Sequence, residues 1–347
     1  MKVIASRSPY IIEINETNQI GSKLEIFIWH KGETEPTSPT YTLSKSITSI
    51  ANRSNVYNIS QYINENITIV APVDVTTPTI EDNNAWCFVK VKKYKLIGST
   101  YTLVDTLEFV GVDGYSNYVD GPNSLIANGG VAVLLQSGYS HEYSSRYGYL
   151  NLLITGTTLF PFNVTYLDNA SVDYYLNDGE IYNYKIPFIY DDIHSSLVQL
   201  QQGVKPFRNI FVDQICEPKY TPIVCSFVNR FGGWNYLTFF KANQQSIDVK
   251  SSDFKLMPQN WIYDPLVGTN KSFNFNGKQK ITCNTGWIDE NKFQLIQDLL
   301  LSETILLDDV PVLCTTKNVD YKTRLKDKNI NYTINFEYNF NLINDVI

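Results

Sequence analysis

The sequence predicts a mainly β, multi-domain protein of β-sandwich or β-barrel type, with one short helix and a long C-terminal hairpin. Three observations lead to this prediction. The chain has 347 residues, which is enough for two or three domains of ordinary size. It is 43% hydrophobic and 14% aromatic but only 18% charged, a composition that suits pleated sheets better than long solvated helices. Apolar and polar residues also alternate with a period of two along most of its length, which is typical of strands with one buried face.

The clearest strand is predicted from Ile330 to Asn341, where twelve residues alternate without a break. A polar cluster at residues 326–329 precedes it. We therefore expect a strand around residues 312–325 to fold back on it as the long closing hairpin. Seven further runs are predicted as strands: Leu24–Trp29, Ala85–Leu96, Tyr101–Val110, Val131–Leu135, Tyr149–Thr155, Ile223–Val228 and Trp234–Lys241.

One segment, Asp289–Ser302, breaks the alternation and predicts the only helix of three turns or more. Its apolar residues recur at helical spacing, and Asp289 precedes them as a candidate N-cap. The next segment, ILLDDVPVL, places Asp308 and Asp309 between two apolar arms. Two turn-forming residues between apolar runs predict a tight hairpin.

Domain boundaries are predicted where the alternation gives way to turn-forming residues, at 111–130 and 187–206. We expect an N-terminal immunoglobulin- or fibronectin-like β-sandwich over residues 1–122, a middle β region over 123–202 and a C-terminal β domain with the helix over 203–347. The tetrapeptide Thr-Tyr-Thr-Leu occurs at 40–43 and again at 100–103. Two similar hairpins facing each other in two sheets would suit a sandwich.

Signatures of catalysis and cofactor binding are missing from the sequence. The three histidines are isolated, the five cysteines never occur as CxxC, and no nucleophile elbow, phosphate-binding loop or dinucleotide fingerprint is found. Gly232 and Gly233 lie between two strand patterns and so predict a hairpin turn rather than a phosphate cradle. We therefore expect no catalytic residue, no cofactor and no metal, and cysteines that are small buried residues of a reducing compartment.

The charge balance argues against a protein that coats nucleic acid. Lys and Arg number 28 against 35 Asp and Glu, which gives a net charge of -7. Binding to phosphates needs a net basic face. The sequence also lacks a run of about 18 apolar residues, so no membrane-spanning helix is expected. The first ten residues lack the apolar run of a secretory signal.

The most distinctive text is CEPKYTPIVCSFVNRFGGWNYLTFFK, residues 216–241. It resembles a block in tail and neck proteins of crAss-like and related bacteriophages that infect Bacteroidota. In those proteins an acidic residue and Lys-Tyr-(Thr)-Pro lead into a strand, then Phe-Val-Asn-Arg-Phe-Gly and an aromatic strand. The matching residues here are Glu217, Lys219, Tyr220, Pro222, Phe227, Val228, Asn229, Arg230, Phe231, Gly232 and Trp234. Residues 113–115, 121–123, 319–322 and 331–338 resemble further parts of the same proteins.

The resemblance implies a structural component of a phage tail, a ring or hub assembled in the host cytoplasm and carried in the virion. Such proteins associate around a rotational axis, so the implied partners are copies of the chain in a six- or twelve-fold ring and other tail or neck proteins. Genomic DNA would pass through the lumen without specific binding. The net charge of -7 suits such a lumen, because a basic lining would retain phosphates.

Six residues are candidates for interface contacts or structural anchors: Glu217, Arg230, Trp234, Tyr332, Phe336 and Tyr338. Arg230 has two interpretations. Its guanidinium pairs with an acidic residue across a subunit interface, or it anchors its own turn through Glu217.

Two other functions stay open. A tail-tip or surface module that binds glycans would use exposed aromatic side chains. A glycan hydrolase would need two carboxyl groups about 5 to 9.5 Å apart across a cleft, which sequence spacing does not reveal. Ring oligomers favour the tail component, saturable polysaccharide binding favours the module, and released reducing sugar favours the hydrolase.

Overall fold

A computed structural model describes residues 1–48, 54–121, 131–135, 139–143, 148–155, 162–167, 172–176, 180–190, 193–194, 196–202, 205–214, 219–257, 266, 268–321 and 329–344. Strands make up 54% of the structure, in several sheets, and the main helix spans 12 residues, 290–301, when its leading 3₁₀ turn is included. The predicted mainly β fold is therefore confirmed.

The N-terminal part is built around one five-stranded sheet, in the order β1-β8-β7-β3-β4. The short ribbon β2-β5 and helix α1 pack on this sheet around a shared apolar core. Its elements are β1 (Lys2–Ala5), β2 (Ile11–Ile14), β3 (Gly21–Trp29), β4 (Tyr41–Ser46), β5 (Asn55–Asn58), α1 (Ser60–Asn64), β6 (Thr79–Ile80), β7 (Trp86–Ile97) and β8 (Thr100–Val112). The two Thr-Tyr-Thr-Leu hairpins, β3-β4 and β7-β8, lie side by side in this one sheet. The expectation that they face each other in two sheets is wrong, because β3 pairs directly with β7.

The middle part contains two sheets, β10-β18-β17-β12-β13 and β6-β14-β11-β9, and a small ribbon, β15-β16. Its strands are β9 (Val131–Val133), β10 (His141–Tyr143), β11 (Tyr149–Ile154), β12 (Phe162–Tyr166), β13 (Val172–Leu176), β14 (Tyr182–Pro187), β15 (Ile189–Tyr190), β16 (Ile193–His194), β17 (Leu197–Gln202) and β18 (Lys205–Gln214). The paired strands β17 and β18 lie on either side of the predicted boundary between residues 202 and 203. Strand β6, from the N-terminal part, joins one of the middle sheets.

The C-terminal part is a seven-stranded sheet in the order β20-β19-β24-β25-β27-β22-β21, accompanied by the ribbon β23-β26 and by α2. Its elements are β19 (Ile223–Val228), β20 (Trp234–Phe239), β21 (Gln244–Lys255), β22 (Asn270–Asn284), β23 (Ile288–Asp289), α2 (Phe293–Leu301), β24 (Ile305–Leu307), β25 (Val310–Cys314), β26 (Asn329–Ile330) and β27 (Thr333–Tyr338).

The predicted helix and tight hairpin are both present. A 3₁₀ turn at Glu290–Lys292 leads directly into α2, although the Asp289 side chain makes no capping hydrogen bond. The hairpin β24-β25 turns through Asp308 and Asp309, whose φ angles are 45° and 70°. Such left-handed residues match the twist of a two-residue hairpin, and Asp tolerates them better than most residues.

The closing pair of strands is present but short. β25 pairs with β27 from Val312 opposite Tyr338 to Cys314 opposite Phe336. The predicted twelve-residue strand is divided at Asn331 and Tyr332 into β26 and β27. The longest hairpin of the C-terminal sheet is instead β21-β22, with strands of 12 and 15 residues.

Three of the cysteines, Cys87, Cys225 and Cys283, are buried free thiols, and Cys314 is half-buried. Burial raises the pKa of the Cys87 and Cys283 thiols to about 12, so both stay protonated. Cys216 lies outside the described residues. Within those residues, the structure contains no helix with the length and apolarity to cross a membrane.

Candidate functional site

The segment singled out in the sequence forms a turn where the three parts of the chain meet. Asn229, fully buried, organises this junction turn, residues 229–233 between β19 and β20. Its side-chain oxygen accepts hydrogen bonds from the backbone N–H groups of Phe231 (2.8 Å) and Gly233 (3.2 Å). Its amide nitrogen donates to the carbonyl oxygen of Leu134, 3.0 Å away. One amide side chain therefore holds both the turn and a segment of the middle part.

Glycine is required in the junction turn because backbone from elsewhere approaches closely. A Cβ on Gly233 would lie 2.3 Å from the carbonyl oxygen of Leu134, and one on Gly232 would lie 2.9 Å from the backbone of Asp113. Gly232 also has φ +81°, a conformation that other residues adopt only with strain. On the facing segment, a Cβ on Gly114 would lie 2.7 Å from the carbonyl oxygen of Arg230. The predicted hairpin turn is present, and it serves as a packing contact.

Arg230 lies in this turn, with its side chain 24% exposed. One guanidinium nitrogen is 3.6 Å from a carboxylate oxygen of Asp120, and the guanidinium stacks on the ring of Phe231. Its backbone carbonyl oxygen accepts a hydrogen bond of 2.7 Å from the N–H of Tyr115. The proposed partner Glu217 lies outside the described residues. Within them, Arg230 links the junction turn to residues 115–120 of the same chain.

A buried carboxyl group lies beneath the junction turn. The hydroxyl of Tyr115 donates to Oδ1 of Asp298 on α2, at 3.3 Å. Burial raises the pKa of Asp298 to about 6, although the nearby Arg230 guanidinium and the Tyr115 hydrogen bond both act to lower it. Helix α2 is therefore tied to the N-terminal part through a group that titrates near neutral pH.

A second buried contact ties the N-terminal part to the middle part. Nζ of Lys185 on β14 lies 2.9 Å from a carboxylate oxygen of Glu81, just after β6, and both side chains are at most 10% exposed. The other oxygen of Glu81 accepts a hydrogen bond of 2.7 Å from the side-chain amide of Asn151 on β11. A buried ion pair of this kind is strongly destabilised when one partner is removed.

The structure places Tyr332 and Phe336 in the C-terminal core and Tyr338 beside it, whereas Trp234 lies in the core of the middle part. Trp234, Tyr332 and Phe336 are buried, and Phe336 packs edge-to-face on Phe239. The backbone N–H of Trp234 also donates a hydrogen bond of 3.1 Å to the side-chain oxygen of Asn151 in the middle part. Tyr338, at the end of β27, is half-buried and packs beside Phe340. Trp234, Tyr332 and Phe336 therefore act as core residues of one chain.

A hairpin projects from the C-terminal sheet. Strand β22 pairs with β27 only from Lys280 to Asn284, whereas it pairs with β21 almost to its beginning at Asn270. Ten residues of β22 therefore extend beyond that pairing, about 30 Å at the usual rise per residue. All twelve residues of β21 are exposed. We call this pair of strands, residues 244–255 and 270–284, the projecting hairpin.

The two faces of the projecting hairpin differ. Ile247 and Val249 lie on one face, 62% and 59% exposed, and Leu342 of the C-terminal segment packs beside Ile247 over Gly277. The same face of β22 continues inward to the buried residue Ile281. On the other face, a charge ladder links Asp248 to Lys280 (2.9 Å), and links Lys280 and Lys278 to Glu337. Among the described residues, the projecting hairpin is therefore an extension of the sheet whose apolar face is covered only in part, by Leu342.

The sequence did not reveal this feature. Apolar residues in alternation normally indicate a buried strand face, and the segment QQSIDVKSSDFK shows too little alternation to stand out. The one available signal was the alternation of two apolar and two charged residues in Ile-Asp-Val-Lys, residues 247–250.

Lysines of β7 cluster on one sheet, but carboxylates accompany them. Nζ of Lys90 lies 2.5 Å from Glu35 and 3.4 Å from Glu108. Lys93 pairs with Asp105 at 3.2 Å. Hydrogen bonding to Glu35 raises the pKa of Lys90, which keeps the ammonium group charged. Lys90 and Lys93 of the lysine-rich segment KVKKYK thus form ion pairs with carboxylates of β8 and of the loop between β3 and β4.

Among the described residues, no three His, Cys, Asp or Glu side chains come together in an arrangement that suits a metal ion. Comparison with models of known protein families finds no match, and comparison with curated proteins finds none either.

Proposed function

We propose that the chain is a non-enzymatic structural component of a bacteriophage tail, forming part of a ring or hub around the path of the DNA. The observation that carries the proposal is the projecting hairpin, a long extension of the C-terminal sheet on whose apolar face Ile247 and Val249 are more than half exposed. Exposed apolar surface of this kind marks sites of protein association. The resemblance of residues 216–241 to tail and neck proteins supplies the class of assembly.

The buried polar contacts between the three parts of the chain suit a subunit that bears mechanical load. Asn229, Asp298 and the Glu81–Lys185 pair connect regions far apart in the sequence through buried polar contacts. Such contacts are costly to break singly, so the relative placement of the sheets is held firmly. A ring subunit needs this rigidity because its neighbours meet it on two different surfaces.

The charges support a DNA path without specific binding. The net charge is -7, and Lys90 and Lys93 of β7 pair with neighbouring carboxylates of the same chain. DNA binding depends on cations that can displace counterions from phosphates. The proposed location is the virion tail, assembled in the bacterial cytoplasm as a homo-oligomer of six or twelve copies with other tail or neck proteins.

A glycan-binding role for a tail-tip or surface module is the alternative, and one observation favours it. The indole of Trp287 is 65% exposed, just after Gly286 in the turn that precedes α2. An exposed indole offers a flat apolar face with a polar edge, which suits a sugar ring.

The mass of the purified chain in solution, measured by light scattering over a concentration series, tests the proposal. We expect particles of six or twelve copies. A variant in which Asn-Gly replaces residues 246–280 removes the projecting hairpin and joins Gln245 to Ile281, which are already opposite each other. This variant should stay folded and fail to form the large particles. A monomeric wild-type chain that binds polysaccharide saturably, and loses that binding in Trp287→Ala, would instead establish the glycan module.

A further inference from the structure

The outer edge of β21 is an open strand edge. β21 pairs with β22 from Gln244 to Lys255, with one shift of register between Lys250 and Ser252, and within the described residues no strand pairs with its other side. An unpaired strand edge presents a row of N–H and C=O groups that can accept another strand. Two-stranded ribbons are marginally stable alone in water, so this one gains stability from a further strand.

The side chains of β21 are self-complementary about one residue. Val249 lies between Asp248 and Lys250, which therefore share the opposite face of the strand. Asp248 keeps half of its side chain exposed despite its ion pair with Lys280. When two copies of such a strand run antiparallel about the central apolar residue, the acidic side chain of each copy faces the basic side chain of the other.

We propose that β21 pairs antiparallel with β21 of a second copy of this chain across a two-fold axis at Val249. In this register Val249 faces Val249 of the second copy. Asp248 faces Lys250 of the second copy, and Lys250 faces its Asp248. The contact thus forms two cross-strand ion pairs on one face and joins the exposed Val249 side chains on the other.

Neighbouring registers are disfavoured by charge and by the pleat. A shift by two residues in one direction places Asp248 against Asp248, and in the other direction Lys250 against Lys250. A shift by one residue brings Val249 to the charged face. The pattern therefore selects one register around Val249.

This contact goes beyond the proposed function and does not depend on it. Across a two-fold axis both copies use the same surface, whereas a ring contact joins two different surfaces at a constant rotation. A chain that forms no ring can still form the two-fold pair, and a chain that forms rings can lack it.

A cysteine cross-link tests the register. We expect Val249→Cys to form a disulfide-linked dimer under mild oxidation, because directly opposed residues of antiparallel strands have Cα atoms about 4.5 to 5.5 Å apart. The matched control is Ile247→Cys, on the same face with nearly the same exposure. In the proposed register its two copies lie more than about 7 Å apart, beyond disulfide reach. The wild type, whose described thiols are buried at Cys87, Cys225 and Cys283 and half-buried at Cys314, provides the background.

Charge variants test the ion pairs by sedimentation equilibrium. Lys250→Asp places like charges opposite each other twice, and we expect it to weaken dimerisation about tenfold. The double variant Lys250→Asp/Asp248→Lys restores opposite charges and should recover most of the affinity. Lys255→Asp, outside the central pairs, should change it by less than about twofold. Equal cross-linking of the two cysteine variants, no cross-linking of Val249→Cys, or a double variant no better than Lys250→Asp would each overturn the proposal.

Discussion

The side-chain amide of Asn229 donates a hydrogen bond to the carbonyl oxygen of Leu134, although 95 residues separate them in the sequence. The same side chain accepts hydrogen bonds from two N–H groups of its own turn. The junction between the middle and C-terminal parts therefore depends on a residue with no charge and no exposed surface.

We expect Asn229→Ala to destabilise the protein by about 3 kcal/mol, because it leaves the Leu134 carbonyl and two N–H groups buried without their partner. The free energy of unfolding in urea measures this. Asn209→Ala, at an exposed position on β18, is the matched control and should cost about 0.5 kcal/mol or less. Equal losses of unfolding free energy in the two variants would show that the Asn229 side chain does not stabilise the junction.

We expect Asp298 to make the stability fall as the pH rises. Its pKa is about 6 in the folded protein against an ordinary value of 3.8, so the folded state binds a proton that the unfolded state releases. The contribution is fully present below about pH 4 and is lost as the pH rises through 6. A difference of about two units corresponds to about 3 kcal/mol.

Urea unfolding of the wild type and Asp298→Asn from pH 4 to 8 isolates this contribution, because the other groups cancel in the difference. The wild type should lose about 3 kcal/mol relative to the variant over this range. Tyr115→Phe, which removes a hydrogen bond that lowers the pKa of Asp298, should shift the loss to higher pH. If the difference in unfolding free energy between the wild type and Asp298→Asn does not vary with pH, the raised pKa of Asp298 is contradicted.

We expect Lys185→Met to destabilise the protein by about 3 to 5 kcal/mol, since it leaves the Glu81 carboxylate buried without its cation. Adding Glu81→Gln should recover much of the loss. Lys31→Met breaks the ion pair of Lys31 with the exposed Glu180 and should cost less than about 1 kcal/mol. Similar midpoints of denaturation for the two lysine variants would show that burial does not increase the contribution of the Glu81–Lys185 pair to stability.

Local patterns predicted most strands, because apolar alternation and turn chemistry act within a few residues. The helix before Ser302 and the turn at Asp308 and Asp309 follow from such local signals. The parallel pairing of β1 with β8 joins residues about a hundred positions apart, and no local pattern reveals it. The side-by-side position of the two Thr-Tyr-Thr-Leu hairpins is likewise set by long-range pairing.

For the candidate site, the sequence pointed to the segment around Asn229 but not to all of its interactions. The sequence around Asn229 is distinctive, whereas its partner Leu134 is fixed only by the tertiary fold. Tyr332 and Phe336 lie in the strand pattern predicted from Ile330 to Asn341, and the structure buries both in the core. Ile247 and Val249 follow the same kind of pattern on the projecting hairpin yet remain exposed. Alternation alone does not distinguish a face covered by its own chain from one left for a partner.

We expect the wild type not to retain double-stranded DNA at about 0.15 M salt, because Lys90 and Lys93 of β7 pair with carboxylates. The triple variant Glu35→Gln/Asp105→Asn/Glu108→Gln frees Lys90 and Lys93. It should retain DNA at low salt and release it as the salt concentration rises. A gel-shift titration measures both, and tight binding by the wild type would argue against a passive DNA path.

Negative-stain imaging of the largest particles formed by the purified chain tests the proposed ring most directly. Class averages should show closed rings of six or twelve copies with an open centre, and these rings should be missing from the variant that lacks residues 246–280. Single compact particles of about 40 kDa at every concentration, with or without the projecting hairpin, would contradict the ring.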